Sequence, residues 1–293
     1  RGLNDSQFNA VLACAASQLS IIWGPPGTGK TDTLAALIHA VVKEGKQRKI
    51  LLTGPNYRTV EELAGRALKN LNSDTGAVCD FYWVYSKSRD PKDAPPSGNH
   101  INLRSFSMAS DQDVADMVSH CGDASRVTII ATTAHVVDRV VKAVGAHGTN
   151  IEPLFDLVVL DESSQIPVTL ALRPLCALKD DAQLIVAGDH LQMPPIHELE
   201  PPLGAEYLVS SIQKYLIERF KVPEQKLLIN YRSNQDLVDY ARTLGYPSEL
   251  EAFNKVKDLR IVSPIASAIA SMPSNFPVTD AYELILDPAK RVT

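Results

Sequence analysis

Residues 24–31 read Gly24-Pro25-Pro26-Gly27-Thr28-Gly29-Lys30-Thr31 and fit the pattern G-x-x-x-x-G-K-[ST]. Glycines in such a run let a loop wrap closely, so that backbone N–H groups face phosphate oxygens. A helix starting near Lys30 adds the positive end of its dipole. In that setting Lys30 contacts the β- and γ-phosphates and Thr31 holds magnesium. A second reactive cluster closes the run Phe155-Asp156-Leu157-Val158-Val159-Leu160-Asp161-Glu162. Here an apolar segment delivers two carboxylates at its end. Asp161 suits the magnesium, directly or through water, and Glu162 suits a base that orients and deprotonates an attacking water. The chemistry open to the two clusters together is hydrolysis of a nucleoside triphosphate with Mg2+; the alternative, a nucleotide kinase, needs an acceptor pocket that no feature of the sequence announces.

Those clusters need rigid elements behind them, and the hydrophobic pattern supplies them. Leu19–Trp23 is a short apolar run leading into the glycine loop, and residues 31–43 follow with helical spacing at Leu34, Leu37, Ile38, Val41 and Val42. Further strands are expected over 49–53, 127–132, Phe155–Leu160, 183–187 and 226–230, with a second helix over 60–71. The strand runs are rich in Val, Ile and Leu and apolar on both faces, as buried parallel strands are. Alternation with helices predicts an α/β fold, a mostly parallel sheet covered by helices on both faces. Ligands of such sheets bind at the carboxyl ends of the strands, where both clusters fall. Strands near Leu51 and Ile129 come between the two clusters in the chain, which leaves room for a strand inserted between the two sites. Residues 72–126 break the rhythm, and the polar, Pro-rich stretch 88–99 reads as an exposed loop, so 72–126 is expected to be an insertion on the core. After Tyr246 the pattern loosens, and 281–286 reads as a strand opening another domain. The expected organisation is a first domain over 1–255 and, over 256–293, a linker with the start of a truncated second domain.

Composition narrows the classes. The chain has 293 residues, 45% hydrophobic and 22% charged, enough for one large or two modest domains with a full core. A net charge of -5 excludes a basic nucleic-acid coat but not a local basic groove. Cys14, Cys79, Cys121 and Cys176 are dispersed with no C-x-x-C pair, which argues against a zinc site or a disulfide framework. No apolar run approaches a membrane span and Arg1-Gly2-Leu3-Asn4 carries no signal-peptide pattern, so an intracellular protein, cytoplasmic or nuclear and without a membrane partner, is expected. With no initiator Met, a fragment is expected.

Four further motifs surround the two clusters. Leu3-Asn4-Asp5-Ser6-Gln7 precedes the phosphate loop, Asp161-Glu162-Ser163-Ser164-Gln165 contains the acidic pair, Gly188-Asp189-His190-Leu191-Gln192-Met193-Pro194-Pro195 follows it, and Asn230-Tyr231-Arg232-Ser233 comes last. In order and spacing these resemble the Q-motif and motifs II, III and IV of the Upf-type, 5′-to-3′ branch of superfamily 1 helicases, over residues 3 to about 250. The resemblance implies a RecA-like P-loop NTPase domain, the first motor domain of an ATP-dependent helicase or translocase that moves along single-stranded DNA or RNA. It implies roles that suit the side chains. Gln7 reads the adenine edge with its amide, Tyr231 stacks on adenine, Arg232 meets the γ-phosphate, Gln192 orients the attacking water or senses the γ-phosphate, and Gln165 links the acidic site to the nucleic-acid side. The nucleic-acid contacts implied are Pro55, Asn56 and Tyr57, in Gly54-Pro55-Asn56-Tyr57 where the family usually has A-P-[ST]-N, and Thr132 in Ala131-Thr132-Thr133. Asn230 stands where the family usually has Gln. Motifs V and VI of a second motor domain do not occur in the chain, so nucleotide binding with poor hydrolysis and no unwinding is expected of it alone. The alternative is a regulatory or signalling ATPase that switches partner binding, with protein partners docking on 72–126.

Overall fold

The computed structural model describes residues 2–46, 49–86, 100–121, 127–145, 153–196 and 200–255. The apolar runs become strands where expected: β1 (Leu19–Trp23), β2 (Lys49–Gly54), β5 (Val127–Thr133), β6 (Phe155–Leu160) and β7 (Leu178–Gly188), joined by β3 (Cys79–Tyr85), β4 (Ile101–Ser107) and β8 (Glu224–Lys226). They form one eight-stranded sheet in the order β4-β3-β5-β2-β6-β7-β1-β8, and every pairing recorded in it is parallel. Successive residues divide between the two faces. Ile22, Leu52, Leu157 and Val159 pack under α1 (Asp5–Ala15), α2 (Lys30–Glu44) and α3 (Tyr57–Asn72), while Ile21, Leu51, Val158 and Leu160 pack under α4 (Asp111–Cys121), α5 (Val137–Gly145), α6 (Val168–Leu175) and α7 (Ile212–Phe220). Burial on both faces is why these strands are apolar throughout rather than alternating. The expected α/β architecture, helices on both faces of a parallel sheet, is therefore the observed one.

Three details differ from expectation. A strand does lie between β1 and β6, but it is β7, which follows the acidic strand in the chain. Within the expected 72–126 insertion, β3 pairs with β5 and β4 with β3, so the segment extends the sheet itself. Its periodicity was masked because β3, CDFYWVY, is buried at every position and carries aromatic rather than aliphatic side chains. The loop expected over 88–99 lies outside the described residues. The run 226–230 is not one strand. β8 ends at Lys226, Leu227 N–H still reaches Trp23 O at 2.9 Å, and β9 (Ile229–Asn230) then pairs with β10 (Glu251–Ala252) in a separate sheet. The switch comes where β1 turns into the glycine loop and offers β8 no further strand to follow.

The chain divides into two compact units, residues 1–229 and 230–293. In the second, α8 (Gln235–Thr243) packs Val238 against Leu250 and Ala252. Residues 256–293, with the strand expected over 281–286, lie outside the described residues. No helix among the described residues is long and apolar enough to cross a membrane.

Candidate nucleotide site

The loop between β1 and α2 is built for close wrapping. A Cβ on Gly24 would lie 2.4 Å from Lys30 Cγ and 2.7 Å from Thr28 Oγ1, so only glycine lets the loop fold over its own lysine. Gly29 has φ +81° and is the N-cap of α2, which places Lys30 and Thr31 in the first helical turn. Gly27 is also left-handed, at φ +79°. Pro25 and Thr28 are buried and Pro26 is exposed. Thr28 Oγ1 donates to Pro25 O at 2.8 Å and locks the turn from inside. Lys30 is buried, and its Nζ donates to Gly24 O at 2.8 Å. The ammonium is thus folded back over the loop rather than extended into solvent.

Gln7 is part of this loop. It is the N3 residue of a capping box on α1, where Asn4 Oδ1 accepts from Gln7 N and Gln7 Oε1 accepts from Asn4 N, both at 3.0 Å. Gln7 Nε2 then donates to Thr28 O at 3.0 Å. A Cβ on Gly29 would sit 2.6 Å from that nitrogen. The glutamine therefore clamps the phosphate loop to α1, a structural role the sequence did not announce.

The acidic pair arrives at the end of β6. Asp161 N donates to Thr53 O at 2.9 Å, the last bond to β2. Glu162 then turns left-handed (φ +49°, ψ 42°), a conformation that costs a non-glycine residue about 1–3 kcal/mol. The turn brings Glu162 Oε1 to 3.8 Å from Lys30 Nζ. Glu162 Oε2 is buried without a hydrogen-bond partner among the described residues. Burial first, and then the neighbouring Glu162, push the Asp161 carboxyl up to about 7. A carboxyl that its surroundings hold protonated is one that a cation returns to the ionised form. Blocked Cβ positions in the loop, an orphan carboxylate oxygen and a desolvated acid all fit a nucleotide with magnesium.

Between these two arms lies the end of β7. Gly188 O accepts from Gly24 N at 3.2 Å. A Cβ on Gly188 would lie 2.4 Å from Gln213 Oε1 and 2.7 Å from Ser163 Oγ, so this glycine is required by packing. Ser163 Oγ bridges Ala187 O at 2.9 Å and Gln213 Oε1 at 3.3 Å, tying the acidic turn to β7. Asp189 is fully buried and gathers three donors: Trp23 Nε1 at 3.0 Å, Leu191 N at 3.2 Å and Gln192 Nε2 at 2.9 Å. Trp23 and Gln213 carried no signal in the sequence, because one reads as an ordinary strand residue and the other as part of a helix.

The remaining expected residues are arranged as follows. Gln165 is exposed, with its N–H on Glu162 O. In the second unit, Asn230 Oδ1 accepts from the N–H groups of Arg232 and Ser233, both at 2.8 Å, and folds Tyr231-Arg232 into a turn. Arg232 is exposed, and the Tyr231 ring packs 5.0 Å from that of Phe253. Pro55 is half-buried, and Asn56 is the N-cap of α3, its Oδ1 accepting from Thr59 N. Tyr57 departs from the base-stacking role. Its ring lies 5.1 Å from Tyr85, and its hydroxyl donates to Ser86 Oγ and accepts from Ser86 N. Thr132 departs further. It is fully buried, and its hydroxyl donates to Val84 O at 2.7 Å, so no phosphate can reach it. The side chain points into the β3–β5 pairing because Thr132 lies inside β5, not in the turn after it. Among the described residues Cys14 and Cys79 are buried and Cys176 is exposed, and no group of three or more His, Cys, Asp or Glu residues could hold a metal ion.

The AAA domain family matches residues 7–198. The chain is 26% identical over 292 residues to the DNA replication ATP-dependent helicase/nuclease dna2 of Schizosaccharomyces pombe, covering 99% of this chain and 19% of that protein. It is 29% identical over 265 residues to the ATP-dependent helicase NAM7 of Saccharomyces cerevisiae, covering 85% of this chain and 26% of that protein. The chain thus spans about a fifth to a quarter of the length of these relatives. A solved structure of the Type ISP restriction-modification enzyme LlaGI with a DNA substrate mimic aligns with a TM-score of 0.49 at 16% identity, covering 85% of this chain and 21% of that one.

Proposed function

The chain belongs to the AAA domain family that matches residues 7–198, with the motifs of Upf-type superfamily 1 helicases, and from that premise we propose that it is the first motor domain of an ATP-dependent helicase or translocase. Such a protein hydrolyses ATP with Mg2+ to move along single-stranded nucleic acid. The observation that carries the proposal is the convergence of Lys30, from the loop after β1, and Glu162, from the turn after β6, to 3.8 Å at the carboxyl edge of one parallel sheet.

In this reading the loop N–H groups of residues 24–30 and the Lys30 ammonium bind the β- and γ-phosphates. Thr31 and Asp161 would hold magnesium, which would supply positive charge against the phosphates. Glu162 takes a proton from the attacking water at a carboxylate oxygen. Its unpartnered, buried Oε2 supports that role, because a base needs an oxygen that nothing else in the protein engages. Gln192, anchored through Asp189, directs its amide toward that water. Gln7 retains one amide N–H and a carbonyl lone pair for the adenine edge. Tyr231 supplies a stacking face and Arg232 a fixed positive fork, the roles that the helicase motif implies for them. Nucleic acid passes over the turns after β2, with Pro55 and Asn56 nearest the strand. The relatives named helicases support this reading, and the dispersed spacing of the cysteines suits a protein working inside the cell, in nucleus or cytoplasm.

The test is ATP hydrolysis by the full-length protein with and without single-stranded DNA or RNA. Stimulation by either is expected. Hydrolysis indifferent to both would refute the motor and leave a regulatory ATPase.

A further inference from the structure

The residue just before the phosphate loop, Trp23, is tied to motif III by a bond that neither motif contains. Trp23 is the last residue of β1 and pairs in register with Gly188, the last residue of β7. Its indole is nearly buried, and Nε1–H donates to Asp189 Oδ1 at 3.0 Å. His190 packs 4.5 Å from the indole, and Lys226 Nζ lies 5.6 Å over it, so the ring is held from two sides. The other oxygen of Asp189 accepts from Gln192 Nε2 at 2.9 Å. An ionised carboxylate only accepts. Gln192 must therefore turn its nitrogen toward Asp189, and its Oε1 becomes the acceptor left for water.

We propose that Trp23 is a positioning residue that acts through Asp189 to fix the Gln192 amide, so that the strand carrying the phosphate loop sets the orientation of the group facing the attacking water. The proposal rests on the ATPase reading given above. The indole N–H matters rather than the ring alone. Without it Asp189 loses this bond to β1, while the bonds from Leu191 N and Gln192 Nε2, both from its own loop, remain. The loop still has His190 Nδ1 3.2 Å from Glu224 Oε1 of β8, but the indole no longer holds the Asp189 carboxylate that orients Gln192. Gly24 N to Gly188 O would remain, so the phosphate loop keeps its seat on β7.

The experiment is a mutant cycle in the full-length protein. Trp23→Phe keeps an aromatic ring and removes the donor. Genetic incorporation of 3-benzothienylalanine at position 23 removes only the N–H at nearly constant volume, and it serves if the phenylalanine variant fails to fold. Either change should lower kcat for ATP by at least about tenfold while leaving the Kd for a fluorescent ADP analogue within about twofold, because loop and amide are separately seated. In a Gln192→Ala background the same change should have almost no further effect. Losses that multiply instead of saturating would overturn the proposal. So would a parallel fall in ADP affinity and thermal midpoint, which is the signature of a packing role. A second readout does not depend on hydrolysis. In protein labelled with ¹⁵N-tryptophan, the indole N–H signal absent from Trp23→Phe should move in Asp189→Asn. An unmoved signal refutes the tether, whereas a moved signal in a wild type without ATPase activity refutes only the assigned function.

Discussion

Replacing Asp161 by Asn removes a titrating carboxyl from a fully buried site and keeps an oxygen able to accept from Glu162 N. Burial, with Glu162 second, pushes the Asp161 carboxyl from its ordinary 3.8 up to about 7. Between those values the folded chain holds a proton that the unfolded chain has released, so stability falls as pH rises through the window. The window is about 3 units wide (7 − 3.8), and each unit is worth about 1.36 kcal/mol. Without nucleotide or metal, the protein should therefore lose about 4 kcal/mol between pH 4 and 7 from this group alone. The asparagine variant lacks that loss. At about 2–4 °C per kcal/mol for a domain of this size, its thermal midpoint should gain roughly 8–16 °C on wild type between pH 4 and 7. Millimolar magnesium with ADP should recover more stability at pH 8 in wild type than in the variant, because only the wild type has a carboxylate for the cation to hold in its ionised form. The assay is thermal unfolding followed by circular dichroism at half-unit pH steps, with and without MgADP. Parallel pH curves for the two proteins would show that Asp161 is not held protonated and would remove the cation argument.

Three further changes test neighbouring parts of the site. Glu162→Gln should lower kcat by about 10²–10⁴ with nucleotide affinity unchanged, as measured by steady-state ATPase and equilibrium binding, and retained turnover would exclude Glu162 as the base. Gly29→Ala forces a Cβ into a left-handed residue and against Gln7 Nε2, so it should cost about 2–3 kcal/mol in chemical denaturation and weaken ADP binding at least about tenfold. Thr132→Val removes the bond to Val84 O and should cost about 1 kcal/mol of stability while leaving the affinity for a fluorescent single strand unchanged; weakened strand binding in a fully folded variant would restore Thr132 to the nucleic-acid surface.

The central architecture was legible because the residues that bear it face one physical constraint. Ile21-Ile22, Leu51-Leu52 and Val158-Val159 each serve both faces of a covered sheet, so they read as continuous apolar runs. Lys30 and Asp161-Glu162 were legible because phosphate and cation chemistry allows few side chains at few spacings. Strand order was not legible, since β7 enters between β1 and β6 through contacts far apart in the chain. β3 escaped because Phe81, Tyr82, Trp83 and Tyr85 lack the aliphatic signature although all are buried. Tyr57 and Thr132 were assigned to solvent because each closes or follows a strand in the sequence, and only the neighbouring strand β3, with Val84, Tyr85 and Ser86 at its end, shows that both are already engaged. The Trp23–Asp189 and Gln213–Ser163 contacts were invisible for a related reason. A hydrogen bond between residues 166 or 50 apart leaves no periodic trace.

The position of β7 also bears on how the protein is made. Leu19 pairs with Leu184, a separation of 165 residues (184 − 19), and β1's other neighbour, β8, is translated later still. At about 5–20 residues per second, β1 leaves the ribosome roughly 8–33 s before either strand that flanks it exists. For that interval Ile21, Ile22 and Trp23 have no sheet to enter, and they form an apolar segment open to chaperones or to neighbouring nascent chains. A chain interrupted anywhere before β7 would carry the whole phosphate-loop sequence with nowhere to seat it. The seat of the glycine loop thus arises late and all at once, when the strand bearing Gly188 closes the gap in the sheet.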